Sequence, residues 1–158
     1  MATSSTSKRN TKTPDAIGVL RGDHKHVGEL FAAYEGARSV RKKRDLIVQI
    51  CSELTVHAQV EEEIFYPAFK AALKHKELVP EATVEHATLK TLISQIQVVE
   101  PGDELFEARV TVLAEYVKHH VKEEQNEMFP KAKASRLDMA ALGSQLAARK
   151  QELLAAAS

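Results

Sequence analysis

Residues 57–67 read HAQVEEEIFYP, and residues 120–130 read HVKEEQNEMFP. Both segments place a glutamate four residues after a histidine, and both end on an aromatic side chain followed by proline. A four-residue step turns an α-helix by about 400°, so the histidine and the glutamate lie on one face, one turn apart. The repeat therefore predicts two helices, each presenting one imidazole and one carboxylate to the same side.

Apolar residues continue at three- and four-residue steps on both sides of this repeat, which is the period of one helix face. Pro67 is expected to disturb or end the second helix, and Pro130 to end the fourth. Helices are predicted from Pro14-Asp15 to about 36–39, over about 40–65, from after Pro80 to before Pro101, over about 104–129, and over 136–156. The predicted fold is all-α, an up-down-up-down four-helix bundle with an additional C-terminal helix.

The same reading divides the chain into three parts. Residues 1–13 are rich in Ser, Thr and Lys without apolar periodicity, and we expect a disordered N-terminal tail there. Residues 14–134 are expected to form the four-helix bundle. Residues 135–158 are expected to form a C-terminal helix that packs on the bundle or extends from it.

Composition excludes several classes of function. The 158 residues hold 22 Lys+Arg and 22 Asp+Glu, and non-specific nucleic-acid binding needs a basic excess. No apolar run reaches the roughly 18 residues of a membrane span, and the polar N-terminus does not read as a secretory signal. One cysteine, Cys51, permits no internal disulfide and fits a reducing compartment. We expect a cytoplasmic protein without nucleic-acid or membrane partners, and a protein partner stays undefined.

Four of the seven histidines lie on inward helix faces, one per helix: His24, His57, His86 and His120. They are separated by 33, 29 and 34 residues, so successive helices return them to a similar height in a bundle. Glu61 and Glu124 share the same apolar stripes, and burying a carboxylate there costs several kcal/mol unless it is compensated. A bound cation compensates such a charge directly.

The alternative is a plain bundle whose inward polar groups only hydrogen-bond one another. A lone histidine on an apolar face is more often a core residue than a metal ligand, but six polar side chains are hard to satisfy with each other. His26, His75 and His119 are off the stripes and are expected at the surface or behind the inward histidines. Tyr66 and Phe129, which precede the two prolines, are expected to cap the core.

The motifs together resemble the hemerythrin-like, or HHE cation-binding, domain over about residues 15–132. The similarity rests on Asp23-His24, His57-x-x-x-Glu61-Glu62 before Phe-Tyr-Pro, Glu85-His86, and His119-His120-x-x-Glu123-Glu124 before Met-Phe-Pro. This resemblance implies a non-haem di-iron centre with two bridging carboxylates and an oxo or hydroxo bridge. The implied iron ligands are His24, His57, Glu61, His86, His120 and Glu124, with Glu61 and Glu124 as the bridges.

Such a ligand set leaves about two coordination positions for O₂, NO, H₂O₂, water or another protein group. Oxygen-carrying hemerythrins have a further histidine on the third helix where this chain has Lys90. Water, Tyr116 or Glu62 are the candidates to replace it. The resemblance implies binding of a small diatomic or peroxide ligand in oxygen, iron or oxidative-stress handling. The alternative is a catalase-like or other peroxide-scavenging enzyme, and manganese is an alternative to iron.

Overall fold

The computed structural model describes residues 13–74 and 77–157, and these ranges contain helices and connecting turns without a strand. The α-helices are α1 (Ala16–Gly36), α2 (Val40–Val60), α3 (Tyr66–Ala72), α4 (Leu78–Gln97), α5 (Glu104–Glu123), α6 (Phe129–Lys133) and α7 (Met139–Ala157). The predicted all-α class, a four-helix bundle with an additional C-terminal helix, is confirmed. The predicted tail lies outside the described residues except for Thr13, and so does His75.

Two π-turns join helices that the sequence predicts as single elements. The turn π1 (Glu61–Phe65) links α2 to α3, and π2 (Glu124–Met128) links α5 to α6. The backbone N–H of Tyr66 donates to the carbonyl of Glu61, and that of Phe129 donates to the carbonyl of Glu124. Each bond spans five residues where an α-helix spans four.

The helix predicted over about 104–129 corresponds to α5, π2 and α6. The expectation that Pro130 ends it is wrong, because the chain stays helical to Lys133. Pro67 likewise disturbs the second helix without ending it. Proline lacks an N–H and clashes with the carbonyl four residues back, and the wider π-turn before each proline relieves both problems. The helix predicted to start after Pro80 is α4, and it begins earlier, at Leu78. Proline is tolerated there because the N–H groups of a first helical turn have no intrahelical acceptor to lose.

Local capping sets the helix starts. The side chain of Asp15 accepts from the N–H of Gly18 at 2.8 Å, and that of Asp103 accepts from the N–H of Leu105 at 2.8 Å. Ser39 caps α2 in the same way. Gly102, in the turn before α5, has a φ of 112°, a backbone conformation that glycine adopts without steric cost.

The bundle interior consists of two apolar layers with a polar layer between them. One layer includes Val27, Leu54, Leu89 and Val117, and the other includes Leu20, Phe65, Ala82 and Phe129. Along its helix, each of the four inward histidines lies between a residue of one apolar layer and a residue of the other. The polar residues therefore share one depth in the bundle, as the sequence intervals predict.

Helix α7 packs across α1, α2 and π1. It approaches closely at Gly143, where a Cβ atom would lie 2.2 Å from the carbonyl oxygen of Pro14. Arg149 pairs with Glu63 of π1, and the ammonium of Lys150 donates to the carboxylate of Asp23 in α1. Among the described helices, none combines the length and apolarity that crossing a membrane requires.

Candidate metal centre

The six predicted ligand residues meet in the polar layer. The glutamates are almost completely buried, with 0% of Glu61 and 1% of Glu124 exposed. Oε1 of Glu61 lies 2.9 Å from Nε2 of His57, one turn earlier on the same rod, and 3.4 Å from Nε2 of His86 on α4. Glu61 thus contacts imidazoles from two helices.

Glu124 repeats this arrangement in the other half of the bundle. Its Oε2 lies 3.4 Å from Nε2 of His120 on α5, and its Oε1 lies 3.1 Å from Nε2 of His24 on α1. The donor atoms form two groups, and within each group they lie within 4.8 Å of one another. One group is His24, His57 and Glu124, and the other is Glu61, His86 and His120. Each glutamate contacts histidines of both groups, which is the placement a bridging carboxylate requires.

Several of these buried atoms have no hydrogen-bond partner. They are Nε2 of His24, Nε2 of His57, both carboxylate oxygens of Glu61, and Oε1 of Glu124. They lie close to one another but are not aligned as N–H donor and oxygen acceptor. Orphaned buried polar atoms cost about 1–3 kcal/mol each, and more when charged, so their convergence favours a cation between them.

Two acidic side chains hold imidazoles from behind. Nδ1 of His57 donates to Asp23 at 2.8 Å, and Nδ1 of His120 donates to Glu85 at 3.2 Å. Asp23 precedes His24 on α1 but contacts His57 on α2, and Glu85 precedes His86 on α4 but contacts His120 on α5. Hydrogen bonds at Nδ1 fix the ring so that Nε2 points inward, as metal-binding histidines require.

The remaining two imidazoles have polar neighbours on the same outer side. The Gln125 side-chain amide lies 3.0 Å from Nδ1 of His24, and a carboxylate oxygen of Glu62 lies 3.5 Å from Nδ1 of His86. Lys90 donates to Glu62 at 2.7 Å. Glu62, a sequence candidate for the replacement ligand, thus approaches His86 from behind and is paired with the lysine that takes the missing histidine's place.

Tyr66 is the tyrosine that reaches the centre. Its hydroxyl donates to Oε2 of Glu124 at 2.7 Å, lies 3.2 Å from Nε2 of His86, and belongs to a side chain only 2% exposed. The sequence pattern predicts Tyr66 as a core residue and Tyr116 as the candidate ligand, but the ring of Tyr116 lies beside the exposed His119, with 6.4 Å between the ring centroids. The core assignment of Tyr66 is therefore incomplete.

The π-turn explains why the sequence pattern hides Tyr66. On an uninterrupted α-helix, a residue five positions after Glu61 would point about 140° away from it. The extra residue in π1 returns Tyr66 to the inward face. At the equivalent position after π2, Phe129 stacks on His24 with ring centroids 5.8 Å apart and planes 5° apart. One half of the centre therefore has a hydroxyl where the other has only a phenyl ring.

The pKa values show how the centre balances its charge without a metal. Burial lowers the pKa of His57, but Glu61 and Asp23 raise it well above its usual range. Burial raises the pKa of Glu124, but contacts with His120 and His24 hold it well below its usual range. Burial and the charges of Glu61 and Glu124 raise the pKa of the Tyr66 phenol. Protonated imidazoles thus neutralise the buried carboxylates, and a cation can take the place of those protons.

The other described histidines lie at the surface, as expected. The side chain of His26 is 44% exposed and faces Glu53 at 3.6 Å. The side chain of His119 is 59% exposed. Neither takes part in the two inward groups.

A small cavity of 20 Å³ adjoins the imidazoles on their apolar side. Besides the four inward histidines and Asp23, apolar side chains line it: Val27, Leu54, Ala58, Leu89, Val117 and Val121. About 10–15 Å³ of such space holds one water-sized molecule. The cavity therefore has room for a small ligand and offers it few hydrogen-bonding groups beyond the centre itself.

Comparison with known proteins follows the same lines. A family model described as the hemerythrin HHE cation-binding domain matches residues 15–132. A crystal structure of a hemerythrin HHE cation-binding domain-containing protein from Mycobacterium kansasii has a similar fold, with a TM-score of 0.80 at 23% identity, covering 91% of this chain and 90% of that one.

A DNA nickase from Nostoc sp. is 32% identical over 111 residues, which are 70% of this chain. The matched region is 31% of the Nostoc protein, so the chain spans less than a third of that relative's length. The activity in its name is that of the longer protein.

Proposed function

This chain belongs to the hemerythrin HHE cation-binding family, and on that premise we propose that it is a non-haem di-iron protein. The irons would be held by His24, His57, Glu61, His86, His120 and Glu124, with the two glutamates bridging and an oxo or hydroxo group between the metals. A small ligand, O₂ or NO, would occupy an open iron position. The physiological role would lie in oxygen, iron or oxidative-stress handling.

The convergence of orphaned buried nitrogen and oxygen atoms is the observation that carries this proposal. Imidazole and carboxylate donors from facing helices suit iron in bundle proteins. Manganese accepts the same donors, so the preference for iron rests on the family. When bound, the metals would supply a redox-active centre, and the chain's own contribution is to orient four imidazoles and to neutralise two buried carboxylates.

The apolar cavity favours a diatomic ligand over a larger or charged one. Valine, leucine and alanine side chains form its walls on the side away from the imidazoles and Asp23, and its 20 Å³ volume leaves room for only a very small molecule. O₂ and NO are small, uncharged and weakly hydrated. We infer that this side of the centre takes such a molecule.

Peroxide disproportionation is the second candidate, and Tyr66 favours it. The reaction converts two H₂O₂ into two H₂O and one O₂, and it needs groups that hold and move protons beside the metals. The buried phenol lies between Glu124 and His86, and the proton that it donates to Glu124 is an exchangeable proton beside the predicted metal ligands.

Spectroscopy and turnover distinguish the two candidates. We expect the iron-loaded protein to change its absorption spectrum reversibly on exposure to O₂ or NO. Steady O₂ evolution from H₂O₂, lost in Tyr66→Phe while iron content is kept, would instead support the enzyme. His57→Ala, which removes a predicted ligand, should abolish both signals, and His26→Ala, which removes a surface histidine, is its matched control.

A further inference from the structure

A second cavity, of 270 Å³, reaches the centre from the opposite, polar side. It lies between the first turns of α4 and the end of the α5–π2 rod. Five glutamates line it: Glu81, Glu85, Glu123, Glu124 and Glu127. No lysine or arginine of the described ranges lines it, although Lys131 pairs with Glu127 at 3.3 Å.

Exposure falls steadily along this cavity. The side chain of Glu123 is 47% exposed, that of Glu85 is 13% exposed, and that of Glu124 at the inner end is fully covered. The cavity therefore has exposed glutamates at its outer end and Glu124, a predicted bridging carboxylate, at its inner end. Glu124 and His120 line the inner end of this cavity and are also residues of the inward groups, so the cavity ends at the centre.

Three side chains at the outer end can hold a cation together. Ligand atoms of Glu85, His119 and Glu123 lie within 4.8 Å of one another. Nε2 of His119 is 3.4 Å from a carboxylate oxygen of Glu123 and 3.7 Å from one of Glu85. These separations are long for hydrogen bonds but suit donors arranged around a common ion.

Glu85 connects this outer group to the centre. One of its carboxylate oxygens accepts from Nδ1 of His120, while the other faces His119. A cation at the outer group would thus lie one carboxylate away from an inward histidine. A cation inside the cavity would contact the centre directly, because His120 and Glu124 are among the lining residues.

We propose that Glu85, His119 and Glu123 form a second, solvent-accessible site for a divalent cation, and that the acidic cavity behind it is the route by which cations enter the centre. The proposal rests on the proposed di-iron function for the destination of the cation. Its physical basis is electrostatic focusing, because a cleft lined by one sign of charge raises the local concentration and the association rate of the opposite sign.

The test compares the wild type with His119→Ala/Glu123→Gln, which leaves Glu85 and all six inward ligands in place. His26→Ala/Glu115→Gln is the matched control, since it removes one surface histidine and one exposed glutamate outside the cavity. Mn²⁺ titration of metal-free protein, followed by electron paramagnetic resonance, counts the sites. Stopped-flow measurement of anaerobic Fe²⁺ uptake gives the entry rate.

For the wild type and the control we expect two tight Mn²⁺ sites and one weaker site. The His119/Glu123 variant should keep the tight sites, lose the weak one, and take up Fe²⁺ about tenfold more slowly. Glu81→Gln, at the outer wall, should slow uptake without changing the number of sites.

A weak site that persists in the His119/Glu123 variant would overturn the assignment of the outer group. Fe²⁺ uptake at the wild-type rate in that variant and in Glu81→Gln would overturn the entry route. Absence of the two tight sites from the wild type would contradict the proposed function instead, and the weak site would still be decided by comparing the variant with its control.

Discussion

Tyr66 decides how the two halves of the centre differ. Its hydroxyl contacts Glu124 and lies near His86, while Phe129 provides only a stacked ring at His24. The two sequence repeats are therefore chemically unequal at one position. The hydroxyl gives one half of the centre an exchangeable proton that the other half lacks.

Replacing Tyr66 by phenylalanine should destabilise the metal-free protein. The change removes a 2.7 Å hydrogen bond to a buried carboxylate, and bonds to charged groups contribute about 1.5–3 kcal/mol. Urea unfolding of metal-free Tyr66→Phe measures the loss in free energy of unfolding. Tyr116→Phe is the control and should unfold like the wild type; an equal loss in both variants would contradict the assigned contact.

The buried imidazoles should make the metal-free protein lose stability as the pH rises. Burial lowers the pKa of His120, but Glu124, Glu61 and Glu85 raise it to about 9 from 6.5. Between these two values the native state binds more protons than the unfolded state, so stability is fully present below about pH 6.5 and falls as the pH rises towards 9. Urea unfolding of metal-free protein from pH 6 to pH 9 checks this sign.

Metal binding should release those protons. At pH 7 the raised pKa values keep His57 and His120 protonated without metal, and ligation at Nε2 requires the neutral imidazole. Calorimetric titration in buffers of different ionisation enthalpy counts the protons. We expect at least one proton to be released per metal pair. A binding heat that does not depend on the buffer would show that metal binding displaces no protons from these imidazoles.

Among the helices, α7 contacts the centre indirectly, through the residue that orients one of its histidines. Lys150 pairs with Asp23, and Asp23 in turn orients His57. Lys150→Met should weaken metal affinity by up to about tenfold, since groups behind a metal ligand affect affinity by about 10–100-fold when they contact it directly. Competition with a chelator measures this effect. Arg149→Gln breaks only surface pairs and should leave the affinity unchanged.

The close approach of α7 to α1 gives a second prediction at this scale. In Gly143→Ala the new methyl group would meet the backbone of Pro14 and Asp15 within 2.2–2.7 Å, which forces the two helices apart. We expect a loss of about 1–3 kcal/mol in thermal or urea unfolding. Gly28→Ala meets no atom within 4 Å and should be neutral or slightly stabilising, because alanine favours a helix interior. Equal effects would contradict the docking of α7.

Helical periodicity predicts much of this arrangement. The spacing of His57 to Glu61 and of His120 to Glu124 places an imidazole and a carboxylate on one face, and the structure brings both pairs into one layer. The π-turns escape such reasoning, because a change from four- to five-residue hydrogen bonds has no compositional signature. Tyr66 and the helix continuing past Pro130 were hidden for that reason.

Contacts between helices are equally invisible to periodicity. Asp23 precedes His24 and Glu85 precedes His86, yet their hydrogen bonds go to His57 and His120 on other rods. The acid-histidine pairs in the sequence are the only signal for these roles. They indicate the residue types but not the partners, which depend on how the rods pack.

Across the whole molecule, the buried polar layer separates two apolar layers and costs stability unless it is compensated. Nitrogen and oxygen atoms without hydrogen-bond partners concentrate there, and within residues 13–74 and 77–157 imidazoles are the cationic groups that contact Glu61 and Glu124. A metal pair that binds the native state alone raises stability by mass action. Thermal unfolding with and without iron should therefore show a higher midpoint for the loaded protein.

The most direct test of the central claim is the metal content of the chain after anaerobic loading with Fe²⁺ and gel filtration. We expect two irons per chain, a rise in thermal midpoint, and loss of both in Glu61→Ala and Glu124→Ala but not in His26→Ala. Iron far below two per chain, with no gain in stability on loading, would contradict the di-iron centre and leave the inward residues as a hydrogen-bonded polar layer.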